Sequence, residues 1–133
     1  MKDEISRTFL DQIYLEKEVE KLKLELARQL DFTCISAYRA FDVAHLNNLD
    51  LRDFSVAVLN FAGEGMFDHE QASLLYKRFA QPRICYTEFC NMIVPSDPTT
   101  SSRLLGRIAA QESLSYETME LMRRLMRAHL SLA

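Results

Sequence analysis

Read for apolar and polar positions, the chain falls into three stretches. Residues 3–30 place Leu15, Val19, Leu22 and Leu26 in steps of four, three and four, and Leu30 continues the same face. Apolar residues returning at that interval line one side of a helix, so the stretch predicts a long amphipathic helix. Glu and Lys fill most other positions. Glu18 with Lys21 and Glu20 with Lys23 stand three apart, a spacing that pairs opposite charges along the wet side. Toward the N-terminus the stripe drifts to Ile5, Phe9 and Ile13, which interrupts the sustained heptads of a long coiled coil. A stripe of this size is rarely left in water. Two readings follow: a short coiled-coil segment, or a helix packed on its own domain. Residues 3–41 either form one continuous helix or bend near Asp31 and Thr33.

Residues 32–95 contain a pattern that occurs twice. Tyr38 and Phe41 close one helical run, Leu49 follows, and Phe54 comes five residues later; Tyr76, Phe79, Ile84 and Phe89 repeat the order. Leu49 and Ile84 lie 35 residues apart, a separation that suits two copies of one helix–loop–helix unit. Between the copies, "FAGEGMF" supplies Gly63 and Gly65 where a helix must end. Asp68 followed by Gln71 predicts a capping box at the next helix start.

Residues 96–133 form a helical tail. Asp97 and Pro98 suit an N-cap and a first helical position, opening a modest helix to about Ala110. Ser115 is placed to cap a stronger helix, with Leu121, Met122, Leu125, Met126 and His129 on neighbouring turns. The division is therefore 1–31, 32–95 and 96–133, in an all-α chain with room for one very small β contact.

Composition narrows what such a chain does. With 133 residues, 48% apolar and 26% charged, it has the balance of a soluble globular protein with one domain. A net charge of −3 provides no basic field for nucleic acid or an anionic membrane, and no window is long and apolar enough for a span. The stretch "MKDEISRTFL" has no apolar signal core. Cys34, Cys85 and Cys90 form no regular framework, which suits buried thiols in a reducing compartment. Neither Cys-x-x-Cys nor His-x-x-x-His occurs, against zinc. There is no Gly-rich phosphate loop, His–Glu metal motif or nucleophile elbow, so no enzyme is expected. His45, His69 and His129 are scattered and read as surface or helix-end positions.

Over about residues 32–95, roughly half of the chain, the order of aromatic, aliphatic and aromatic positions resembles the EF-hand, calmodulin-like superfamily. Phe41, Leu49 and Phe54 match its frame in the first copy. The resemblance implies a pair of degenerate EF-hand units between the N-terminal amphipathic helix and the C-terminal tail. It also implies that Leu49 and Ile84 bridge the two loops in a short β contact, and that a groove holds an amphipathic helix.

The ligands are another matter. Calcium takes six to eight oxygens, largely from alternate positions of a twelve-residue loop. Asp42 fits the first position, but Ala44 and Leu46 offer no side-chain oxygen at the third and fifth. Asn47 stands where glycine is usual, Asn48 offers a backbone carbonyl at the seventh position, and Asp53 at the twelfth is one methylene shorter than glutamate. The second loop is three residues shorter and carries Pro82 and Arg83 where acids would stand; Glu88 keeps the glutamate position without partners. Helix capping accounts for Asp50 and Asp53 without a metal.

The expectation is a calcium-independent adaptor or structural component with no cofactor, which takes a protein partner, either an amphipathic helix or a cytoskeletal assembly. Homodimerisation through the N-terminal helix is a further option. Ion-free EF-hand lobes place such a protein in the cytoplasm, at the cytoskeleton or in a cilium or flagellum, by analogy. The rival is a regulatory calcium sensor with one weak site through Asp42, Asp50 and Asp53. The tail also has the apolar and basic faces of a calmodulin-target helix. Residues 31–97 hold nine acids and five basic residues, while 98–133 hold three and five, which favours a fold-back onto the lobe. Ordinary core packing is the other reading of that helix.

Overall fold

The computed structural model describes residues 2–29, 31–42, 48–63, 65–80, 83–105 and 114–132, with side chains from Leu10 onward. Its helices are α1 (Lys2–Arg28), α2 (Cys34–Phe41), α3 (Leu51–Ala62), α4 (His69–Phe79), α5 (Tyr86–Ile93), α6 (Pro98–Leu105) and α7 (Tyr116–Leu132). Among the described residues the extended backbone pairs once, in an antiparallel bridge between Leu49 and Ile84. The chain is all-α.

The break between α1 and α2 needs neither glycine nor proline. Gln29 N–H donates to the Leu26 carbonyl and Phe32 N–H to the Gln29 carbonyl, two tight turns that end α1. Thr33 then opens α2, its Oγ accepting from Ser36 N–H at 3.1 Å. That hydroxyl satisfies one of the amides a helix start leaves without partners. The open question about residues 3–41 is thereby answered in favour of two helices.

Later boundaries follow the sequence signals. Gly63 (φ 122°) and Gly65 (φ 76°) take the positive φ that other residues avoid, reversing the chain after α3. Asp68 and Gln71 form the reciprocal capping box at α4, with bonds of 2.9 and 3.1 Å. Asp97 accepts from Thr100 N–H at 2.9 Å ahead of Pro98. Ser115 Oγ accepts from Thr118 N–H at 3.3 Å at the start of α7. The predicted end of α6 near Ala110 and the apolar position Leu30 lie outside the described residues, as do the side chains of Ile5 and Phe9.

One apolar core gathers every helix described. α1 contributes Val19, Leu22, Leu26 and Ala27, and α7 contributes Met122, Leu125, Met126 and Leu130, all buried. α1 packs along α7, α7 also meets α3 and α4, and α2 packs on α5 as α3 does on α4. From Val19 onward the N-terminal stripe is thus used inside its own fold, and the tail helix is a core element. One or two turns earlier, Leu10 and Tyr14 are 62% and 67% exposed.

Two carboxylates tie distant segments together. Glu20 Oε1 accepts from Ser96 N–H at 2.6 Å and Glu20 Oε2 from its hydroxyl at 3.2 Å. Glu20 is held by Ser96, and Lys23, three residues on, is half-buried with Glu20 and Arg78 near it. Burial lowers the Lys23 pKa, with Glu20 opposing and Arg78 adding to the shift. Asp31 accepts from Ser115 N–H and from Thr118 Oγ, both at 2.7 Å. Burial works to raise the Asp31 carboxyl, but these donors outweigh it and its pKa falls.

Candidate functional site

The two loops meet at the Leu49–Ile84 bridge. Leu49 N–H donates to the Ile84 carbonyl at 2.8 Å, and Ile84 N–H returns the bond at 3.0 Å. Beside it the Cys85 thiol donates to Asn48 Oδ1 at 3.6 Å. Beneath the bridge the repeated aromatics cross between the copies. Tyr38 of the first meets Phe89 of the second, ring centres 5.3 Å apart, and Tyr76 of the second meets Phe54 of the first at 5.7 Å. These are equivalent contacts, made once in each direction. Phe41 extends the cluster to Phe54 and Phe89 at 5.8 and 5.0 Å. Such tilted and edge contacts add to the burial of the rings themselves.

Of the candidate acids, Asp50 is bonded to the backbone. Asp50 is the N-cap of α3, and its Oδ1 accepts from Asp53 N–H at 2.9 Å. That amide, aided by its neighbours, holds the Asp50 carboxyl below its usual range. Asp53 lies in the first turn, in the positive field of the helix start. Asp42 is buried at the C-cap of α2, where its N–H donates to the Tyr38 carbonyl at 2.8 Å. In the second loop Glu88 Oε1 reaches back to Cys85 N–H at 2.9 Å, so it too caps its own helix. Asp42 and Asp53 line one cavity of about 560 Å³ together with Phe41, Leu49, Phe61 and Met119; Asp50 does not. Among the described residues, no three His, Cys, Asp or Glu side chains converge as metal ligands. Ala44, Leu46, Asn47, His45 and Pro82 lie outside the described residues.

The apolar side that the two copies build is occupied by α7. Its basic flank is used as well. Arg123 Nε donates to the Phe61 carbonyl at 3.1 Å and Arg127 Nε to the Ala62 carbonyl at 2.7 Å. α3 has no basic residue in its own last turn, so α7 supplies the cations that its carbonyl end favours. Arg123 also pairs with Glu120. A pair of arginines four apart beside a methionine stripe was the available signal, and its direction became legible only with α3 in place.

His129 stands at a helix end, in the last turn of α7, and not at the surface: it is buried, with Nε2 2.8 Å from the Met92 carbonyl and its ring edge-on to Phe79. A carbonyl only accepts, so Nε2 carries the proton. Nδ1 is buried without a hydrogen-bond partner among the described residues. Burial depresses the imidazole to about 4. His69 is exposed at the start of α4, and among the thiols Cys34 and Cys90 are buried while Cys85 is half-buried.

No protein-family model matches this chain, and the searches of curated proteins and of solved structures return no significant match. Among the described residues no helix is long and apolar enough to cross a membrane.

Proposed function

We propose that this protein is a calcium-independent, non-catalytic adaptor or structural component built on a degenerate EF-hand pair. The observation that carries the reading is the double use of the loops. Their aliphatic positions bridge, while Asp50 and Glu88 are committed to starting α3 and α5. A frame that keeps its apolar contacts and turns its carboxylates inward to amides serves shape. The amphipathic helix that such a lobe holds is, in this chain, α7, and the lobe therefore stands in one state without an ion.

The partner is a protein, either a helix or a cytoskeletal or ciliary assembly, and homodimerisation through the outer turns of α1 belongs to the same proposal. Leu10 and Tyr14 supply exposed apolar surface there. A second reading, one weak calcium site, draws on Asp42 and Asp53 facing the same cavity.

Calcium titration by calorimetry, with mass from light scattering in the same buffer, tests both. The adaptor reading expects no saturable heat and no thermal shift at millimolar calcium. One ion bound at micromolar levels, abolished by Asp42→Ala, would establish the sensor instead. A mass twice that of the chain supports dimerisation, and loss of that doubling in Leu10→Glu places the contact on α1.

A further inference from the structure

Cys34 and Cys90 are used by nothing described above, and the fold brings them together. Cys34 is the first residue of α2 and Cys90 lies in α5, and both are buried where these helices pack. Tyr38 is one turn after Cys34, and Tyr86 one turn before Cys90, so each cysteine shares a helix face with a tyrosine. The two tyrosine rings meet edge-on, 5.9 Å between centres. One turn away, where α2 packs on α5, the Cys34 and Cys90 thiols lie close enough to each other and to the Tyr86 side chain to act on one another's ionisation. The contacts 34 with 90 and 38 with 86 run in opposite chain directions, so α2 and α5 pass antiparallel with the thiols facing.

We propose that Cys34 and Cys90 form an oxidisable dithiol, which a hydroperoxide converts into a disulfide stapling α2 to α5. Cys90 is the attacking group, because the Cys34 thiol and the Tyr86 hydroxyl beside it favour its thiolate. Those donors, the Cys34 thiol first, outweigh desolvation and lower the Cys90 pKa. Its sulfur attacks one peroxide oxygen, the O–O bond breaks, and hydroxide leaves to take up a proton. The resulting sulfenic acid is then attacked by the Cys34 sulfur. The S–O bond breaks, the S–S bond forms, and water departs with the Cys34 proton. Two thiols lose two electrons, and hydrogen peroxide becomes two waters.

Cys34 and Cys90 belong to the core and keep 3% and 6% of their surface, and Tyr86, one turn before Cys90, is 40% exposed, so the proposed path for the peroxide runs past the Tyr86 side chain. Cys85 serves as an internal reference. It is half-buried on the loop side, and burial with Glu88 beside it raises its pKa, which disfavours its thiolate.

The test is hydrogen peroxide treatment of the full chain, followed by intact mass and non-reducing peptide mapping. The expected product has lost two hydrogens, links the Cys34 and Cys90 peptides, and leaves Cys85 open to alkylation. Its melting temperature rises by roughly 5–15 °C and returns on reduction, because the cross-link closes a long segment of the unfolded chain. Cys85→Ser should give the same two-hydrogen loss. The proposal is overturned if oxygen accumulates on Cys90 without a link, if any disulfide includes Cys85 or a second chain, or if all three thiols stay alkylatable. Wild-type mapping decides the matter even if a cysteine variant folds poorly.

Discussion

The first helix–loop–helix copy and the second solve one problem with different parts. Both present an aromatic pair, an aliphatic bridge residue and an exit-helix phenylalanine; the bridge residues pair with each other, and each tyrosine meets the other copy's exit-helix phenylalanine. The loops share much less. α3 starts on Asp50, whose own side chain accepts the Asp53 amide, whereas α5 starts on Cys85 and depends on Glu88 reaching back. Phe41 is fully buried among rings of both copies, while Phe79, its counterpart, is partly exposed and leans on His129 of α7. Apolar contact between the copies is the conserved economy here, and the polar chemistry of each loop is free to follow its own helix start.

The crossed aromatic contacts give the largest way to break this equivalence. Phe54→Ala and Phe89→Ala should each cost about 3–5 kcal/mol and by similar amounts, because each ring meets Phe41 and the tyrosine of the other copy. Urea unfolding of the two variants checks this, and clearly unequal costs would break the equivalence.

His129, which the second copy meets through Phe79 and Met92, should make stability fall with acid. Its folded pKa of about 4 lies below the unfolded value of 6.5, so the unfolded chain binds the proton first. The stabilisation is complete above pH 6.5 and is lost as pH falls toward 4, by about 3 kcal/mol over that window. Lys23 and Arg78 add to the shift by repelling the charged ring. His129→Gln, which can still donate to the Met92 carbonyl, should flatten the unfolding free energy between these pH values. An unchanged slope would assign the acid sensitivity elsewhere. Asp31 acts in a lower window: its folded pKa is depressed below 3.8, so its contribution persists until the pH falls beneath that value.

The helix starts sharpen the comparison at smaller amplitude. Asp50→Ala should lower the melting temperature by about 4 °C and Asp50→Asn by much less, since Asn still accepts the Asp53 amide. Glu88→Ala removes the only side chain acting from the other end of the α5 box and should fall between them. Calcium at millimolar concentration should move none of these temperatures, as followed by scanning calorimetry.

Much of this architecture could be read along the chain. The step of Leu15, Val19, Leu22 and Leu26 marked the buried face of α1, and Asp68, Asp97 and Ser115 marked three helix starts, because a cap is a local bargain between a side chain and an amide three residues away. The aromatic repeat located the Leu49–Ile84 bridge through its likeness to a known frame. What stayed hidden depends on distant partners. Glu20 was placed beside Lys23, but its bonds to Ser96 were not in view, and His129 was placed at a helix end without Phe79 and Met92, which α4 and α5 bring to it. The basic face of the tail read as folding back onto the lobe, without the atoms that Arg123 and Arg127 reach. Their targets are carbonyls more than sixty residues back in the chain.

The pairing of α1 with α7 also sets a timetable. These are the first and the last of the helices, and each buries its stripe largely against the other. Contacts between such distant segments must close a long intervening chain before they return any energy, which makes them slow. During synthesis Val19, Leu22 and Leu26 therefore stay uncovered until Met122 to Leu130 have emerged. For that interval the growing chain carries α1 with its apolar face uncovered, and whatever greets a nascent polypeptide meets that surface before α7 does.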